Sequence, residues 1–342
     1  MSHFRTSTFM RKARALLILA ASLLLLGHAP SHAQTPAPAW NVAPQFRYNI
    51  ENILVSTPVP GSWDVKVVFS ISNPGTGEVW DIKNALPYQT AGASLTLDIA
   101  WDVKTDFVNT GSANALLSPV QSTTLGAAPA APIQVRNLHS RTVGASPCTT
   151  SLECPGVADF FNRFWVQRRI TPINFTQNVT TGRVALEGHP MCNGPTACPP
   201  GPPYANIPVR SETADFAFLA SVTPVRAVIA DPRREIVDFD TKCSRCHNGK
   251  KLDQAGVPIP RLSLHGNNRT ENLKLCVMCH NPNQTDAAYR VITADARTSG
   301  AETSIDFKRM VHSIHAGGFR STAFTVIGFN TSINDFSRVR FP

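Results

Sequence analysis

The sequence predicts a mainly β domain, a sandwich or small barrel, followed by a mostly irregular domain with short helices. Three observations support this prediction. Between residues 46 and 238, short runs alternate apolar and polar residues or cluster β-branched ones, and turn sequences separate these runs. Helical periodicity sustained beyond about ten residues is hard to find there. From residue 239 onward strand patterns become rare, and clusters of cysteine and histidine appear.

The β domain is expected over residues 46–238, a length sufficient to bury its own core. The runs that predict strands are Val65–Ile71, Ser94–Ile99, Ile133–Val135, Phe216–Leu219, Val225–Ile229 and Glu235–Phe239. Turns are indicated at residues 58–61, 73–75 and 126–132, where proline and glycine concentrate. The last predicted strand would lead directly into the second domain.

Residues 1–33 have the pattern of a secretory signal peptide. Four basic residues precede an apolar run over residues 15–27, and small residues before Ala33 suit cleavage there. The apolar run is too short for a permanent membrane helix, which needs about twenty residues. A Pro/Ala-rich linker follows over residues 34–45. We therefore expect an exported protein whose cysteines lie in an oxidising compartment.

Two stretches, Cys243–His247 and Cys276–His280, read C-x-x-C-H. In this pattern two thiols add covalently to the vinyl groups of a haem, and the adjacent histidine binds its iron. The motifs predict two molecules of haem c and a multihaem c-type cytochrome domain over residues 239–342. The thioether cysteines would be Cys243, Cys246, Cys276 and Cys279, and the proximal iron ligands would be His247 and His280.

Zinc is the structural alternative for the same cysteines. Two C-x-x-C pairs can form a tetrahedral four-thiolate site, and the chain would then be a secreted binding module. The 29 residues between the pairs are longer than a usual zinc-ribbon loop. A zinc site needs neither histidine, yet both pairs are followed by one, so haem is favoured.

Two proximal histidines leave two iron faces to fill. The candidate distal ligands are His265, His312 and His315, with Met278 and Met310 as alternatives. A thioether ligand would raise the reduction potential. Histidine is favoured because more spare imidazoles are present than the two irons need.

The last two candidates share a predicted helix. The apolar spacing over residues 305–316 is helical, and Gly317 follows as a stop signal. Residues three apart lie on one helix face, so His312 and His315 are better disposed to bind two neighbouring haems than one iron. Three candidate ligands for two iron faces leave two interpretations open. Either one of the three histidines binds no haem, or the chain is cut short of at least one more haem site.

Four further cysteines lie in polar loops of the β domain and are expected to form disulfides in an exported protein. They are Cys148, Cys154, Cys192 and Cys198. Two local bridges and two crossed ones are both possible, because spacing does not fix connectivity. His139 and His189 are expected to be solvated loop residues.

The charge balance does not indicate nucleic-acid binding. The chain carries 32 Lys and Arg against 23 Asp and Glu, a net charge of +9. Removal of the signal's four basic residues leaves 28 basic residues against 23 acidic ones, or +5. Four propionates from two haems would nearly cancel this charge. The basic excess is thus interpreted as compensation for cofactor carboxylates.

Residues 234–320 resemble the OmcA/MtrC family of decahaem c-type cytochromes. The resemblance rests on Arg234–Asp238 before the first motif, Leu264-His265-Gly266, the second motif with Asn281-Pro282, Ile305–Lys308 and Val311–Gly317. It implies a split Greek-key β barrel followed by a pentahaem domain with bis-histidine haems. It also implies that His265, His312 and His315 are distal ligands. Only two haem motifs lie in this chain, so we expect the first part of such a protein.

The resemblance further implies extracellular electron transfer in dissimilatory metal reduction, with metal oxides or flavins as acceptors. Partners would be other c-type cytochromes or an outer-membrane porin–cytochrome complex, and the location would be the periplasm, the outer membrane or the cell surface. The residues themselves favour an electron carrier over a haem enzyme. A reductase or peroxidase needs an open iron face and a group that moves protons, whereas spare histidines are available to close both faces.

Overall fold

Two antiparallel β-sheets packed face to face enclose the main hydrophobic core of the structure. The computed structural model describes residues 37–60, 62–101, 133–134, 145–170, 181–193, 198, 203–232, 237–253, 256, 258–280, 285–290, 301–328 and 331–341. The predicted signal peptide and His139 lie outside these residues.

In chain order the strands are β1 (Arg47–Val59), β2 (Ser62–Ser72), β3 (Ser94–Trp101), β4 (Ile133–Gln134), β5 (Ser146–Pro147), β6 (Phe164–Ile170), β7 (Thr181–His189), β8 (Glu212–Ala217), β9 (Val225–Arg226), β10 (Val228–Ile229), β11 (Ser263–Leu264), β12 (Arg269–Thr270), β13 (Thr325–Ile327) and β14 (Ile333–Asp335). The helices are α1 (Leu86–Gln89), α2 (Leu273–Cys279) and α3 (Phe307–His315). The first sheet has the order β5-β6-β2-β1-β9, and the second has the order β10-β8-β7-β3-β4. The hairpins β11–β12 and β13–β14 form separate two-stranded sheets.

Apolar side chains from the inner faces of both sheets form one core. β2 contributes Val65, Val67 and Phe69, and β7 contributes Val184 and Leu186 from the opposite sheet. Residues two apart along a strand point to the same face, which is why the alternating runs predict this core. Burying each such side chain contributes about 1.5–3 kcal/mol. The predicted mainly β fold is confirmed, and the described strands form a sandwich without barrel closure.

One strand passes between the two sheets. The predicted run Val225–Ile229 is divided into β9, which pairs with β1, and β10, which pairs with β8. Between them, the N–H of Ala227 donates to the Ile53 carbonyl, and the Ala227 carbonyl accepts from Ala217, each at 2.9 Å. This residue therefore ties the two sheets together at one edge.

The predicted strand Glu235–Phe239 is wrong in its described part. Val237 and Asp238 have no strand pairing, and Phe239 begins a turn. The Asp238 carboxylate accepts the Thr241 N–H at 2.7 Å. Such a local side-chain bond stabilises a turn at the expense of a strand ladder. The chain therefore enters the first C-x-x-C-H stretch through a turn.

Strand β7 is buried on both faces. Its inner face lies in the sandwich core, as described above. On its outer face, Ala185 packs with Leu275 and Met278 of α2. The backbone N–H of Gly188 donates to the Asn268 carbonyl in the β11–β12 loop at 2.9 Å. The cysteine- and histidine-rich segment thus covers the outside of the second sheet.

Residues 37–342 form one compact unit. The predicted division into a β domain (46–238) and a haem domain (239–342) stays a prediction, and contacts cross it at the second sheet. Among the described residues, no helix is long and apolar enough to cross a membrane.

A buried arginine joins the second sheet to α2. Arg183 of β7 is 1% exposed and forms ion pairs with Asp215 at 3.0 Å and Asp231 at 2.7 Å. Its Nη1 donates to the Lys274 carbonyl at 3.2 Å. A buried charge is tolerated only when it is paired and hydrogen-bonded, and Arg183 meets both conditions.

We predict that Arg183→Leu lowers the free energy of unfolding by about 3–5 kcal/mol, because Asp215, whose side chain is 5% exposed, loses its buried counter-charge. The measurement is equilibrium unfolding in urea. Arg210→Leu is the control, since Arg210 and its partner Asp240 are 53% and 58% exposed. An exposed pair contributes under about 1 kcal/mol. Equal losses for the two variants would contradict the prediction.

Candidate functional site

The first C-x-x-C-H stretch forms a single tight turn. Cys243–Arg245 is one turn of 3₁₀ helix. The N–H groups of Cys246 and His247 both donate to the Cys243 carbonyl, at 3.1 and 2.9 Å. The two thiols are half-buried. One turn of backbone therefore carries both thiols and the imidazole, as haem attachment requires.

The second stretch lies at the end of α2. The helix begins after Asn272, whose side-chain oxygen accepts the Leu275 N–H at 3.2 Å, a usual N-cap. The N–H of His280 donates to the Cys276 carbonyl at 2.8 Å. His280 therefore continues the helical turn that holds Cys276 and Cys279.

Met278 is not placed as an iron ligand. The sequence left its thioether as an alternative axial ligand, but its side chain is 1% exposed and packs with Ala100 and Ala185 of the second sheet. An apolar side chain on this face of α2 is needed to hold the helix against the sheet. Met278 therefore serves packing.

Backbone carbonyls orient both proximal imidazoles. His247 Nδ1 lies 2.9 Å from the Pro260 carbonyl oxygen, and His280 Nδ1 lies 3.0 Å from that of Ile305. A carbonyl can only accept, so Nδ1 carries the proton and Nε2 keeps a lone pair for a metal. Burial lowers the pKa of both imidazoles. The neutral form, which binds metals, is thereby favoured.

His265 is presented by the β11–β12 hairpin. Residues 265–268 form its loop, and Leu264 pairs with Arg269 at the last position before the loop. His265, Gly266 and Asn267 all have positive φ, at 52°, 72° and 67°. Glycine and asparagine adopt this conformation easily, which permits the tight loop. The ring centroids of His265 and His280 lie 6.1 Å apart, with the planes at 41°.

His315 is presented by α3. Asp306 caps this helix by accepting the Arg309 N–H at 3.2 Å, so the helix predicted over residues 305–316 begins at Phe307. His315 Nδ1 lies 2.7 Å from the Val311 carbonyl oxygen, which again leaves Nε2 for a metal. The ring centroids of His247 and His315 lie 6.1 Å apart, with the planes at 88°.

The two ring pairs share a separation that fits a common metal. Imidazole nitrogen binds a metal at about 2 Å, and the ring centre lies roughly 1 Å behind the nitrogen. Two imidazoles on opposite sides of one metal therefore have centroids about 6 Å apart. His247 with His315, and His280 with His265, each meet this distance.

The third distal candidate is left outside both pairs. His312 is exposed on α3, and in the described part of the chain no other imidazole faces it. It borders a cavity of about 410 Å³ shared with His315, Phe319 and Phe341. The structure therefore supplies an imidazole partner for only one of the two helix histidines.

A large cavity lies beside His280. Its volume is about 1000 Å³, which is the upper end of the usual range for ligand sites. The lining includes the aromatic residues Trp40, Phe46, Phe239 and Phe307 and the basic residues Arg47 and Lys308. Carboxylates such as Glu212, Asp238 and Asp306 also line it, and none of the four C-x-x-C-H cysteines does, so the cavity is not assigned to a porphyrin.

Sequence reasoning missed a charged cluster beside the second anchor. Arg269 Nε donates to Glu187 Oε2 at 2.6 Å, and Arg269 Nη2 lies 3.9 Å from Asp98. Burial, followed by the charge of Glu187, raises the pKa of Asp98. The signal was available, since Asp98 and Glu187 interrupt the apolar runs of β3 and β7 at outward-facing positions.

The cysteines of the β domain form local bridges. Cys148 is bonded to Cys154 and Cys192 to Cys198, with Cα separations of 5.8 and 5.1 Å. Spacing alone left this connectivity open. Among the described residues, no three His, Cys, Asp or Glu side chains converge as metal ligands, so the two C-x-x-C pairs are not gathered as the zinc alternative requires.

His189 departs from its prediction as a solvated loop residue. It lies at the end of β7, paired in register with Ser94, and is 6% exposed. The preceding residues of β7 are buried on both faces, and this burial extends to the strand end.

Comparison with known proteins identifies the cysteine- and histidine-rich segment. Residues 234–336 match the family described as outer membrane cytochrome MtrC/MtrF-like, domains II/IV. The match covers 103 of the chain's 342 residues, and it confirms the predicted OmcA/MtrC resemblance of this segment. The predicted location in the periplasm or at the outer membrane agrees with it.

A solved structure is also similar in part. The crystal structure of MtrC from Shewanella baltica has 14% sequence identity and a TM-score of 0.42 over 81% of this chain. The match covers 39% of that chain, so the present chain spans well under half of its length. No protein with a curated function matches.

We predict that Cys276 and Cys279 react slowly with iodoacetamide in the folded, haem-free chain. Burial raises their pKa values to about 12 and about 11. The reactive thiolate at pH 8 is then at least about 100-fold scarcer than for a thiol of ordinary pKa. The rate should rise steadily as the pH increases towards 11, and mass spectrometry of tryptic peptides measures it.

The control for this prediction is the same chain in denaturant, where both thiols regain ordinary pKa values and react quickly. Equal rates in the folded and denatured chains at pH 8 would contradict the buried, protonated state of this pair.

Proposed function

We propose that the chain holds two molecules of haem c covalently and relays electrons between redox partners, within a pathway that delivers electrons to extracellular acceptors. The observation that carries this proposal is the pairing of each C-x-x-C-H histidine with a second imidazole at 6.1 Å. The similarity of residues 234–336 to a family of outer membrane cytochromes supports it independently.

Closed coordination favours relay over catalysis at iron. With His315 opposite His247 and His265 opposite His280, both faces of each iron would be filled by imidazole. Substrate turnover at a haem needs an open face. The same side chains thus favour an electron carrier over the reductase or peroxidase alternative.

Exposed apolar side chains around the two anchors suit a bound porphyrin. They are Val237, Leu252, Leu264, Phe319 and Phe341, each at least 45% exposed in the bare chain. Phe319 and Phe341 line one cavity together with His315, and a porphyrin bound by His315 would cover them. Haem would cover such side chains and act as an apolar core where the segment has few strands and short helices.

The protein's own residues have three tasks in this relay. Cys243, Cys246, Cys276 and Cys279 hold the porphyrins, and four histidines bind the irons. Haem, when bound, supplies one-electron redox chemistry at iron. The carbonyls of Pro260, Ile305 and Val311 fix the imidazole planes, so the rings need not reorient when the charge of the iron changes. Low reorganisation favours rapid electron transfer.

The partners follow from the family. We infer that other c-type cytochromes or an outer-membrane porin–cytochrome complex supply the electrons, and that a metal oxide or a flavin accepts them. The exported location and the outer membrane description of the family support this assignment. The two-haem segment would be one part of a longer electron path.

We expect protein matured in a host with haem-attaching machinery to retain two haems per chain after extraction with acidified organic solvent. Thioether bonds survive this treatment, whereas unattached haem is removed. Intact mass measures the retained haem, and the double variant Cys276→Ala/Cys279→Ala, which lacks both thiols of the second motif, should retain only one haem. Complete release of porphyrin from the wild-type protein would contradict the proposal.

We also expect carbon monoxide binding to the reduced protein to show which histidines bind the irons as distal ligands. The wild type should bind almost none, because both irons are six-coordinate. His265→Ala and His315→Ala should each open about half of the haem. His312→Ala is the matched control on the same helix as His315 and should open neither haem. Opening in His312→Ala but not in His315→Ala would reverse the assignment.

A further inference from the structure

The geometry points to Glu187 and Arg269 as a positioning pair that holds His265 opposite His280. Through this pair a strand of the β sandwich controls the axial ligation of the second haem. The inference rests on the proposed haem binding and adds to it two residues that touch neither iron nor thioether sulfur. It starts from the way the β11–β12 hairpin is attached to the rest of the chain.

Backbone hydrogen bonds fix the base of this hairpin. The Ser211 N–H donates to the Thr270 carbonyl at 3.0 Å, and the Thr270 N–H donates to Ser211 Oγ at 3.2 Å. The Gly188 N–H donates to the Asn268 carbonyl at 2.9 Å. These bonds tie strand β12 and the end of the loop to the second sheet. At the start of the loop, two amides hold the backbone: Asn268 Nδ2 donates to the His265 carbonyl at 2.9 Å, and Asn206 Nδ2 donates to the Gly266 carbonyl at 3.2 Å.

The charged attachment next to His265 is made by Arg269. This residue pairs in register with Leu264, the neighbour of His265. Its guanidinium reaches across to β7, where Nε lies 2.6 Å and Nη2 3.4 Å from the two carboxylate oxygens of Glu187. The two-point contact fixes the orientation of the planar guanidinium as well as its distance.

The Glu187–Arg269 pair lies where its loss would change the ligation of the second haem. Glu187 is 4% exposed and Arg269 is 20% exposed at their side chains. Without Glu187, the Arg269 charge would be left in a poorly solvated place with only Asp98 nearby, at 3.9 Å. The guanidinium would turn towards water and carry the start of the loop with it.

Displacement of the loop start has a specific consequence. His280 is held by the Ile305 carbonyl and by its place on α2, so it would stay on the iron. His265 would withdraw, and the second haem would become five-coordinate when reduced. The first haem would be unaffected, because its ligands His247 and His315 are not positioned by Glu187 or Arg269.

The experiment uses the haem-loaded chain and compares E187Q, R269Q and R269K. Carbon monoxide binding to the reduced protein and the spin state of the oxidised haem by electron paramagnetic resonance are the readouts. E187Q and R269Q should open about half of the haem to carbon monoxide and convert about half of the low-spin signal. R269K keeps a cation within reach of Glu187 and should remain largely closed.

The matched control is D64N, which breaks the Arg169–Asp64 ion pair between two strands of the first sheet. It weakens the sandwich without touching the hairpin and should leave both haems closed. If E187Q and R269Q stay closed, or if D64N opens the haem equally, the positioning role is overturned. Where E187Q fails to fold, the contrast between R269Q and R269K decides the same question.

These outcomes are distinct from failure of the proposed function. That failure would appear in the wild-type protein, as absence of retained haem or as carbon monoxide binding to most of it. A closed, two-haem wild type whose E187Q variant also stays closed would leave the electron relay intact and remove only the positioning pair.

Discussion

The outer face of the second sheet is the constraint on which the arrangement of the site depends. Strand β7 faces the sandwich core on one side and is covered on the other by α2 and the β11–β12 hairpin. Arg183, Ala185 and Glu187, on alternate positions of that outer face, contact Lys274, α2 and Arg269 respectively. A single strand therefore supports both the second C-x-x-C-H turn and the hairpin that carries its facing imidazole.

The first anchor is built differently. His247 is oriented by Pro260, and its facing ring, His315, comes from α3, which begins two residues after the carbonyl that orients His280. The segment around residues 303–307 therefore links the two predicted haem positions. Asp286 strengthens this link by accepting the N–H groups of Thr303 and Ile327 and pairing with Arg290. One buried carboxylate thus organises the chain that follows the second anchor.

The sequence predicted most of what depends on local pattern. Alternating runs located β2 and β3, and apolar spacing with a following glycine located α3. It failed where tertiary contacts oppose the local pattern. The run Glu235–Phe239 reads as a strand, but Asp238 caps a turn there. His189 reads as a loop residue, but it ends a strand buried on both faces. The sequence left Met278 as a possible ligand, but its side chain packs between α2 and the second sheet.

The sequence by itself determined the local grouping of two thiols and a histidine, because residues within five positions are brought together by one backbone turn whatever the rest of the chain does. Only the tertiary structure decided which distant imidazole faces which proximal one. The sequence does not distinguish His265, His312 and His315 as distal ligands. Which of them faces a C-x-x-C-H histidine depends on where the β11–β12 hairpin and α3 pack. Docking is set by long-range contacts, such as Arg269 with Glu187, between residues whose proximity no local pattern records.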